Sequence, residues 1–183
     1  MPASLINSFK RAIVSGFCVA PTAARNTPSA QVSGVVHIED MGDQSFSGDT
    51  WAGTKGRALR LEGFSLTIDP IIDGLSLIYM CHIEDVGDTQ WLKEGDFCGT
   101  RGQSKRVEGI AIELTGAEAE NYDVIYQVHL QDMGDVAECS NGQFCGTRGE
   151  SRRIEALRVT IVPLETSANS ANYLSSVRKG FSQ

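Results

Sequence analysis

The chain has 183 residues, 21% of them charged, and a formal net charge of −7 at pH 7. Its 19 glycines and its low aromatic content of 7% favour a turn-rich β protein over a helical one. The negative charge argues against nucleic acid as a partner, because phosphate backbones are themselves negative.

The N-terminal arm covers residues 1–32. Its apolar side chains fall on one helical face, which predicts a short amphipathic helix before a linker rich in Pro, Ala, Thr and Ser. Within the arm, residues 12–20 superficially resemble a signal peptide, but the apolar run is short and is broken by Ser15 and Gly16. No stretch of the chain approaches the roughly 20 apolar residues of a transmembrane helix.

Three similar segments follow the arm, at about 33–70, 75–116 and 122–163. Equivalent positions recur at intervals of about 46 residues, as His37, His82 and His129 do. Each copy has an alternating strand, a Gly-Thr-x-Gly turn and a second, longer alternating strand. The fold class is therefore predicted to be all-β, in one domain that spans residues 33–163.

The repeats also predict how the domain is assembled. A unit of this size cannot bury its own apolar face, so the three copies must pack around one shared core. This predicts a closed body with approximate threefold symmetry. A β-prism with one sheet per repeat is favoured, because the last strand of each repeat is long enough for a sheet face, and a β-trefoil is the alternative.

Residues 164–183 are polar and rich in Ser and Asn, which predicts an extended C-terminal tail. We interpret this tail and the N-terminal arm as segments that contact other protein subunits. The expected setting is a homo-oligomer or a larger assembly.

The repeated charged residues could carry chemistry, but their pattern favours structure. Histidine followed by acidic residues could bind a metal ion or relay protons. In a strand, however, residues i and i+3 point to opposite faces, and an active site normally occurs once rather than in every repeat. Structural roles are therefore assigned to the repeated histidines and to the Arg/Glu pairs at spacing i, i+2, namely His37, His82, His129, Arg60, Arg106, Arg153, Glu62, Glu108 and Glu155. No nucleophile, metal site or cofactor site is predicted, and the protein is not expected to be an enzyme.

Four residues are candidates for ligand binding. The Gly-Thr-x-Gly turns contain Lys55, Arg101 or Arg148, whose charge could join the turn amides in cradling an anion. Trp91 is the fourth candidate, because its counterparts in the other repeats are a phenylalanine and an acid. That variability predicts a surface position, where an indole could stack on a sugar or on a protein partner.

The chain has five cysteines, and their spacing supports neither a disulfide framework nor a metal site. Three of them, Cys81, Cys98 and Cys145, stand where other repeats have Val or Ala. This substitution pattern marks them as small buried hydrophobic residues, and we expect reduced thiols.

The order of the motifs resembles a known family. Repeats two and three read Tyr-x-x-His-[hydrophobic]-[Glu/Gln]-Asp-x-Gly and then Gly-Thr-x-Gly-x-Ser-x-Arg-x-Glu-[Gly/Ala], which is similar to the clostridial hydrophobic repeat with a conserved Trp. The place of the family's named Trp holds Asp43, Asp88 and Asp135 in this chain. The resemblance implies the repeat fold and a secreted or surface role in adhesion or carbohydrate binding, and it carries over no catalytic residue.

These observations predict a non-catalytic, lectin-like adhesion or recognition module carried on a larger assembly. The alternative is a structural protein without glycan binding, either of a virion, such as a phage head decoration or tail component, or of a surface layer. Other protein subunits and glycans are the expected partners. A virion or a cell surface is the expected location rather than the cytoplasm.

Overall fold

The computed structural model describes residues 27–164, so the helix predicted in the N-terminal arm and the C-terminal tail beyond residue 164 lie outside the described residues. Repeat 1 supplies the strands β1 (Gln31–Ile38), β2 (Gly42–Ser47), β3 (Ala52–Gly53) and β4 (Leu61–Asp69). Repeat 2 supplies β5 (Ser76–Ile83), β6 (Gly87–Asp88), β7 (Leu92–Lys93), β8 (Cys98–Gly99) and β9 (Val107–Thr115). After a short 3-10 helix (Ala119–Asn121), repeat 3 supplies β10 (Tyr122–Leu130), β11 (Gly134–Asp135), β12 (Cys139–Ser140), β13 (Cys145–Gly146) and β14 (Ile154–Pro163).

Each repeat builds an antiparallel sheet around one pair of long strands. β1 pairs with β4, β5 with β9 and β10 with β14. In every pair the register shifts directly after the repeated histidine, at His37, His82 or His129. A shift of this kind bends the strand and re-aims its side chains, so the three histidines occupy equivalent positions at equivalent bulges.

One edge strand of every sheet comes from a different repeat. β8 of repeat 2 pairs with β4 of repeat 1, and β13 of repeat 3 pairs with β9 of repeat 2. β3 of repeat 1 pairs with β14 of repeat 3, so the exchange of strands is circular. The prediction of an all-β, pseudo-threefold body of three tandem repeats is confirmed, with one sheet per repeat. The choice of a β-prism over a β-trefoil stays a prediction.

All three repeats contribute to one hydrophobic core. Along β10 every second residue from Tyr122 to Leu130 is buried, as expected for a strand with one face on the core. The first four residues of β4, β9 and β14 are all buried, and it is there that the edge strand of the neighbouring repeat pairs. The side chains in this core include Phe64, Tyr79, Ile110 and Leu157.

Two buried tyrosines bind neighbouring segments through their hydroxyl groups. The Tyr79 hydroxyl accepts a hydrogen bond from the amide of Leu66 (3.1 Å), in repeat 1, and donates to the carbonyl of Asp96 (2.5 Å). In repeat 3 the Tyr126 hydroxyl donates to the carbonyl of Gln143. Burial raises the pKa of both tyrosines to about 12. Both hydroxyl groups therefore stay protonated and able to donate at neutral pH.

The exchanged strands leave no room for a side chain at their glycines, which gives a direct test of the packing. At Gly99, in β8, a Cβ atom would lie 2.4 Å from the carbonyl oxygen of Glu62 and 2.4 Å from the Cα of Gly63. At Gly102 the space is open, with no atom within 4 Å, although both glycines have positive φ (+121° and +65°). Gly99→Ala should therefore lower the free energy of unfolding by at least about 2 kcal/mol more than Gly102→Ala does.

Urea unfolding of the two variants, followed by circular dichroism, measures this difference. Gly102→Ala is the matched control, since it carries the cost of a positive φ without the clash. Equal losses of stability in the two variants would show that β8 does not pack on β4 as described.

Candidate functional site

The contact between neighbouring repeats has the same form three times, and we call each contact a junction. At every junction the amide of the threonine in the Gly-Thr-x-Gly turn donates to the carbonyl of the buried glutamate in the neighbouring repeat. These bonds are Thr100 to Glu62 (2.8 Å), Thr147 to Glu108 (2.9 Å) and Thr54 to Glu155 (2.8 Å). The turns are thereby fixed on the neighbouring sheet by the backbone alone.

An aspartate at each junction is held from both repeats. Asp43 accepts a hydrogen bond from His37 Nδ1 (2.6 Å), its direct partner across the β1–β2 hairpin, and from Arg101 Nε (3.1 Å) of repeat 2. The same arrangement recurs in the other junctions, where the histidine, aspartate and cation are His82, Asp88 and Arg148, or His129, Asp135 and Lys55. Each aspartate therefore joins a histidine of its own repeat to a cation of the next one.

An aromatic ring lies beneath each of these cations. Arg101 Cζ is 3.4 Å from the centre of the Phe97 ring, and the same distance separates Arg148 from Phe144. In the third junction Lys55 Nζ is 3.2 Å from the centre of the Trp51 ring. At exposed sites a cation above an aromatic ring contributes about 0.5–1 kcal/mol. This attraction holds the cation against the ring and so orients its side chain.

These contacts change the titration of the aspartates. A hydrogen bond from Arg101, and then one from His37, lowers the pKa of Asp43 below its ordinary value. Arg148 is the main cause of the lowered pKa of Asp88, and Lys55 is the main cause at Asp135. Because 41–47% of each carboxylate side chain is exposed, solvent screens the pairs and each contributes no more than about 1 kcal/mol.

The Arg/Glu pairs lie deeper. Arg60 Nε is 3.0 Å from Glu62 Oε1, and its guanidinium also reaches Glu39 (2.6 Å). Repeat 2 has the same set, in which Arg106 contacts Glu108 and Glu84. Repeat 3 differs, because Arg153 contacts Glu155 (2.8 Å) but has the neutral Gln131 (2.9 Å) in place of the second carboxylate. The repeat 3 set therefore carries one negative charge fewer.

A cleft of about 360 Å³ opens at the junction between repeat 3 and repeat 1. We call it the junction cleft, and its lining includes Gly56, Ala58, His129, Gln131, Arg153 and Glu155. Lys55 precedes Gly56 and pairs with Asp135, so it stands beside the cleft. The polar side chains of its lining therefore include both hydrogen-bond donors and acceptors.

The residues singled out from the sequence are thus brought together in part. Each repeated histidine lies at a junction, and each Arg/Glu pair is in contact. Lys55, Arg101 and Arg148 each face an aspartate of the neighbouring repeat. Trp91 is separate from them and is 44% exposed. Sequence reasoning missed the aspartates as histidine partners, although six-residue spacing across a tight hairpin was the available signal.

Two kinds of feature are absent from residues 27–164. No group of three or more His, Cys, Asp or Glu there has a geometry that could hold a metal ion. The same residues contain no helix with the length and hydrophobicity that crossing a membrane requires.

The strand exchange and the junctions define a closed β protein of three homologous repeats. The family model described as "Clostridial hydrophobic W" matches residues 37–70, 82–116 and 129–163, which is more than half of the chain. The chain therefore belongs to the clostridial hydrophobic W family, and the resemblance seen in its motifs is confirmed. Searches among curated proteins and among solved structures found no match.

The lowered pKa values predict how stability depends on acid. A carboxyl group whose pKa is lower in the folded state stabilises the fold above its unfolded pKa of about 3.9, and this contribution is lost as the pH falls through the folded pKa. The variant Asp43→Asn/Asp88→Asn/Asp135→Asn should therefore lose less stability than the wild type between about pH 4 and pH 2. Urea unfolding at a series of pH values measures the slopes.

The control for this experiment removes three other aspartates, in Asp40→Asn/Asp85→Asn/Asp132→Asn. These residues have φ values of 62°, 59° and 63°, a conformation that Asn also tolerates. The control changes the net charge equally but leaves the contacts of Asp43, Asp88 and Asp135 with their histidines and cations intact. A junction variant that loses stability in acid as steeply as the wild type would contradict the role given to the three pairs.

Proposed function

We propose that the protein is a non-catalytic, lectin-like recognition module, carried on a larger assembly, that binds a glycan in the junction cleft. The observation that carries this proposal is the polar cleft of about 360 Å³ between repeat 3 and repeat 1. Its volume lies in the lower part of the range of roughly 300–1,000 Å³ that small-molecule sites occupy. A site of this size suits one or two sugar rings.

The chemistry of the lining supports a sugar as the ligand. Sugar hydroxyl groups both donate and accept hydrogen bonds, so they need donors and acceptors side by side. In the cleft Arg153 supplies donors and Glu155 supplies acceptors. Gln131 supplies both, since its amide group carries an oxygen and two N–H bonds.

Gln131 also distinguishes this junction from the other two. Glu39 and Glu84, which occupy its place in repeats 1 and 2, each form an ion pair with the adjacent arginine. With Gln131 in that place, Arg153 has one carboxylate partner instead of two. This arginine is therefore better able to bond a ligand hydroxyl or carboxylate than its counterparts are.

The repeated polar residues support a structural role rather than catalysis. The histidines have the same aspartate partners in all three repeats, at the same distance of 2.6 Å. A role in holding the repeats together accounts for this repetition, whereas a reaction needs one distinct site. Trp91, which is 44% exposed, offers a separate surface on which a sugar could stack.

A glycan array with the full chain, followed by calorimetric titration of any retained glycan, tests the proposal. Gln131→Glu gives repeat 3 the acidic partner found in the other repeats and should weaken binding about tenfold, the loss of one or two hydrogen bonds. Glu84→Gln is the control, because it makes the reverse change in repeat 2 and should leave affinity unchanged. Absence of binding by the wild type at millimolar glycan would overturn the proposal.

A structural role in a virion or surface layer is the second candidate, and one observation favours it. Equivalent corners of the three repeats each expose an apolar side chain, at Met41 (37% exposed), Val86 (60%) and Met133 (55%). Three such contacts at symmetry-related positions suit repeated packing against neighbouring subunits.

If these corners make subunit contacts, the triple variant Met41→Ser/Val86→Ser/Met133→Ser should dissociate an assembly that the wild type forms. Sedimentation velocity over a range of concentrations measures the association. Ile71→Ser is the control, since Ile71 is 91% exposed but does not belong to the repeated corner. Association that persists in the triple variant would remove this candidate.

A further inference from the structure

Two cysteines of repeat 2 lie in direct contact. Cys81, in β5, and Cys98, in β8, have their sulfur atoms 2.9 Å apart, and both residues are fully buried. This separation lies between a disulfide bond, about 2.05 Å, and an ordinary non-bonded contact of about 3.5–4.0 Å. The two side chains therefore already point at each other.

The other repeats show that the fold does not require sulfur here. Repeat 1 has Val36 and Ala52 at the two positions, and repeat 3 has Val128 and Cys145. Val with Ala fills the same space with apolar atoms alone. A pair of thiols therefore occurs in repeat 2 without a packing reason.

A hydroxyl group next to the pair is also particular to repeat 2. Thr89 Oγ1 accepts a hydrogen bond from the amide of Cys81 (3.1 Å) and lies 3.6 Å from Cys98 Sγ. At this distance the Thr89 hydroxyl can donate to the Cys98 sulfur, and such a bond stabilises a thiolate there. The equivalent residues in the other repeats are Gln44 and Val136, and neither is a hydroxyl donor.

We propose that Cys81 and Cys98 are an oxidisable pair that forms a disulfide when a peroxide supplies the oxidant. Peroxide is the fitting class of oxidant because it is small, whereas a bulky disulfide reagent would need far more opening to reach two buried sulfurs. Once formed, the bond ties β5 of repeat 2 to β8, the strand that pairs with repeat 1. The disulfide would thus hold covalently, within repeat 2, the strand that forms the junction with repeat 1.

The reaction begins at Cys98. The contact with the Cys81 sulfur lowers the pKa of Cys98, and the same contact and burial raise the pKa of Cys81. The Cys98 thiolate attacks one peroxide oxygen, the O–O bond breaks, and a sulfenic acid and water result. The Cys81 sulfur then attacks the Cys98 sulfur, the S–O bond breaks, and a second water leaves with the Cys81 proton. Two thiols and one hydrogen peroxide therefore give one disulfide and two waters.

Peptide mapping of the full chain tests the pair directly. Reduced protein is exposed to hydrogen peroxide, alkylated and digested with trypsin without reductant. Cleavage after Arg60, Lys93 and Arg101 places the two cysteines in different peptides, residues 61–93 and 94–101. We expect these peptides to be joined, and to separate with dithiothreitol. Oxidation of other cysteines while this pair stays unlinked would overturn the proposal.

The thermal transition gives a second readout. The disulfide closes a loop of about 16 residues, which should raise the melting temperature of the wild type by roughly 5–10 °C after peroxide treatment. Cys81→Val/Cys98→Ala copies the residues of repeat 1, so it should fold, form no link and show no shift. A wild-type melting temperature that the link leaves unchanged, or lowers, would contradict the stabilising effect assigned to the link between β5 and β8.

Thr89→Val tests the assigned hydroxyl, and it copies Val136 of repeat 3. We expect the linked peptide to form several-fold more slowly, because the thiolate of Cys98 loses a hydrogen-bond donor. The melting temperature of the reduced variant shows that it has folded. An unchanged rate of linking would overturn the role of Thr89.

Discussion

The structure depends on how closely the Gly-Thr-x-Gly segment of one repeat approaches the long strand of its neighbour. At Gly53, Gly99 and Gly146 a Cβ atom would lie 2.4 Å from a carbonyl oxygen of that strand. Glycine is therefore required there by contact as well as by φ values near +120°. The exchanged strands have two residues each, too few to be stable alone, so every repeat needs a partner to complete its sheet. Because β3 of repeat 1 pairs with β14 of repeat 3, the need is met within one chain.

The polar residues around this contact divide into two layers with different effects. The buried Arg/Glu pairs hold the long strands beneath the turns, and removing one partner would leave a buried charge unpaired. The exposed aspartates, each between a histidine and a cation, contribute less free energy. They bind the cation of the turn that packs on them and so orient that turn on the neighbouring repeat. Residues that recur in all three repeats thus build the body. Residues that occur in one repeat only, such as Gln131, Trp91 and Thr89, can give that repeat a binding or redox property that the other repeats lack.

The sequence predicted the class and the repeat order because both follow from local signals. Alternation marks the long strands, and the period of the motifs marks the three copies. The exchange of β3, β8 and β13 could not be predicted, since a two-residue strand has no periodicity and its partner lies in another repeat. For the same reason the partners of Lys55, Arg101 and Arg148 could not be predicted from the sequence of the turns. Each faces a carboxylate of the protein itself, and in the case of Arg101 and Asp43 the two residues are 58 positions apart.

Amide hydrogen exchange at Thr54 tests most directly whether the exchange of strands among the three repeats is circular. Thr54 donates to Glu155 across the contact that joins the first repeat to the third, while Thr100 and Thr147 make the equivalent bonds between consecutive repeats. If the ring is closed, the Thr54 amide should be protected to the same degree as the other two, measured by nuclear magnetic resonance in deuterated buffer. A Thr54 amide that exchanges as fast as an unprotected one, while Thr100 and Thr147 remain protected, would show that the three repeats form an open row.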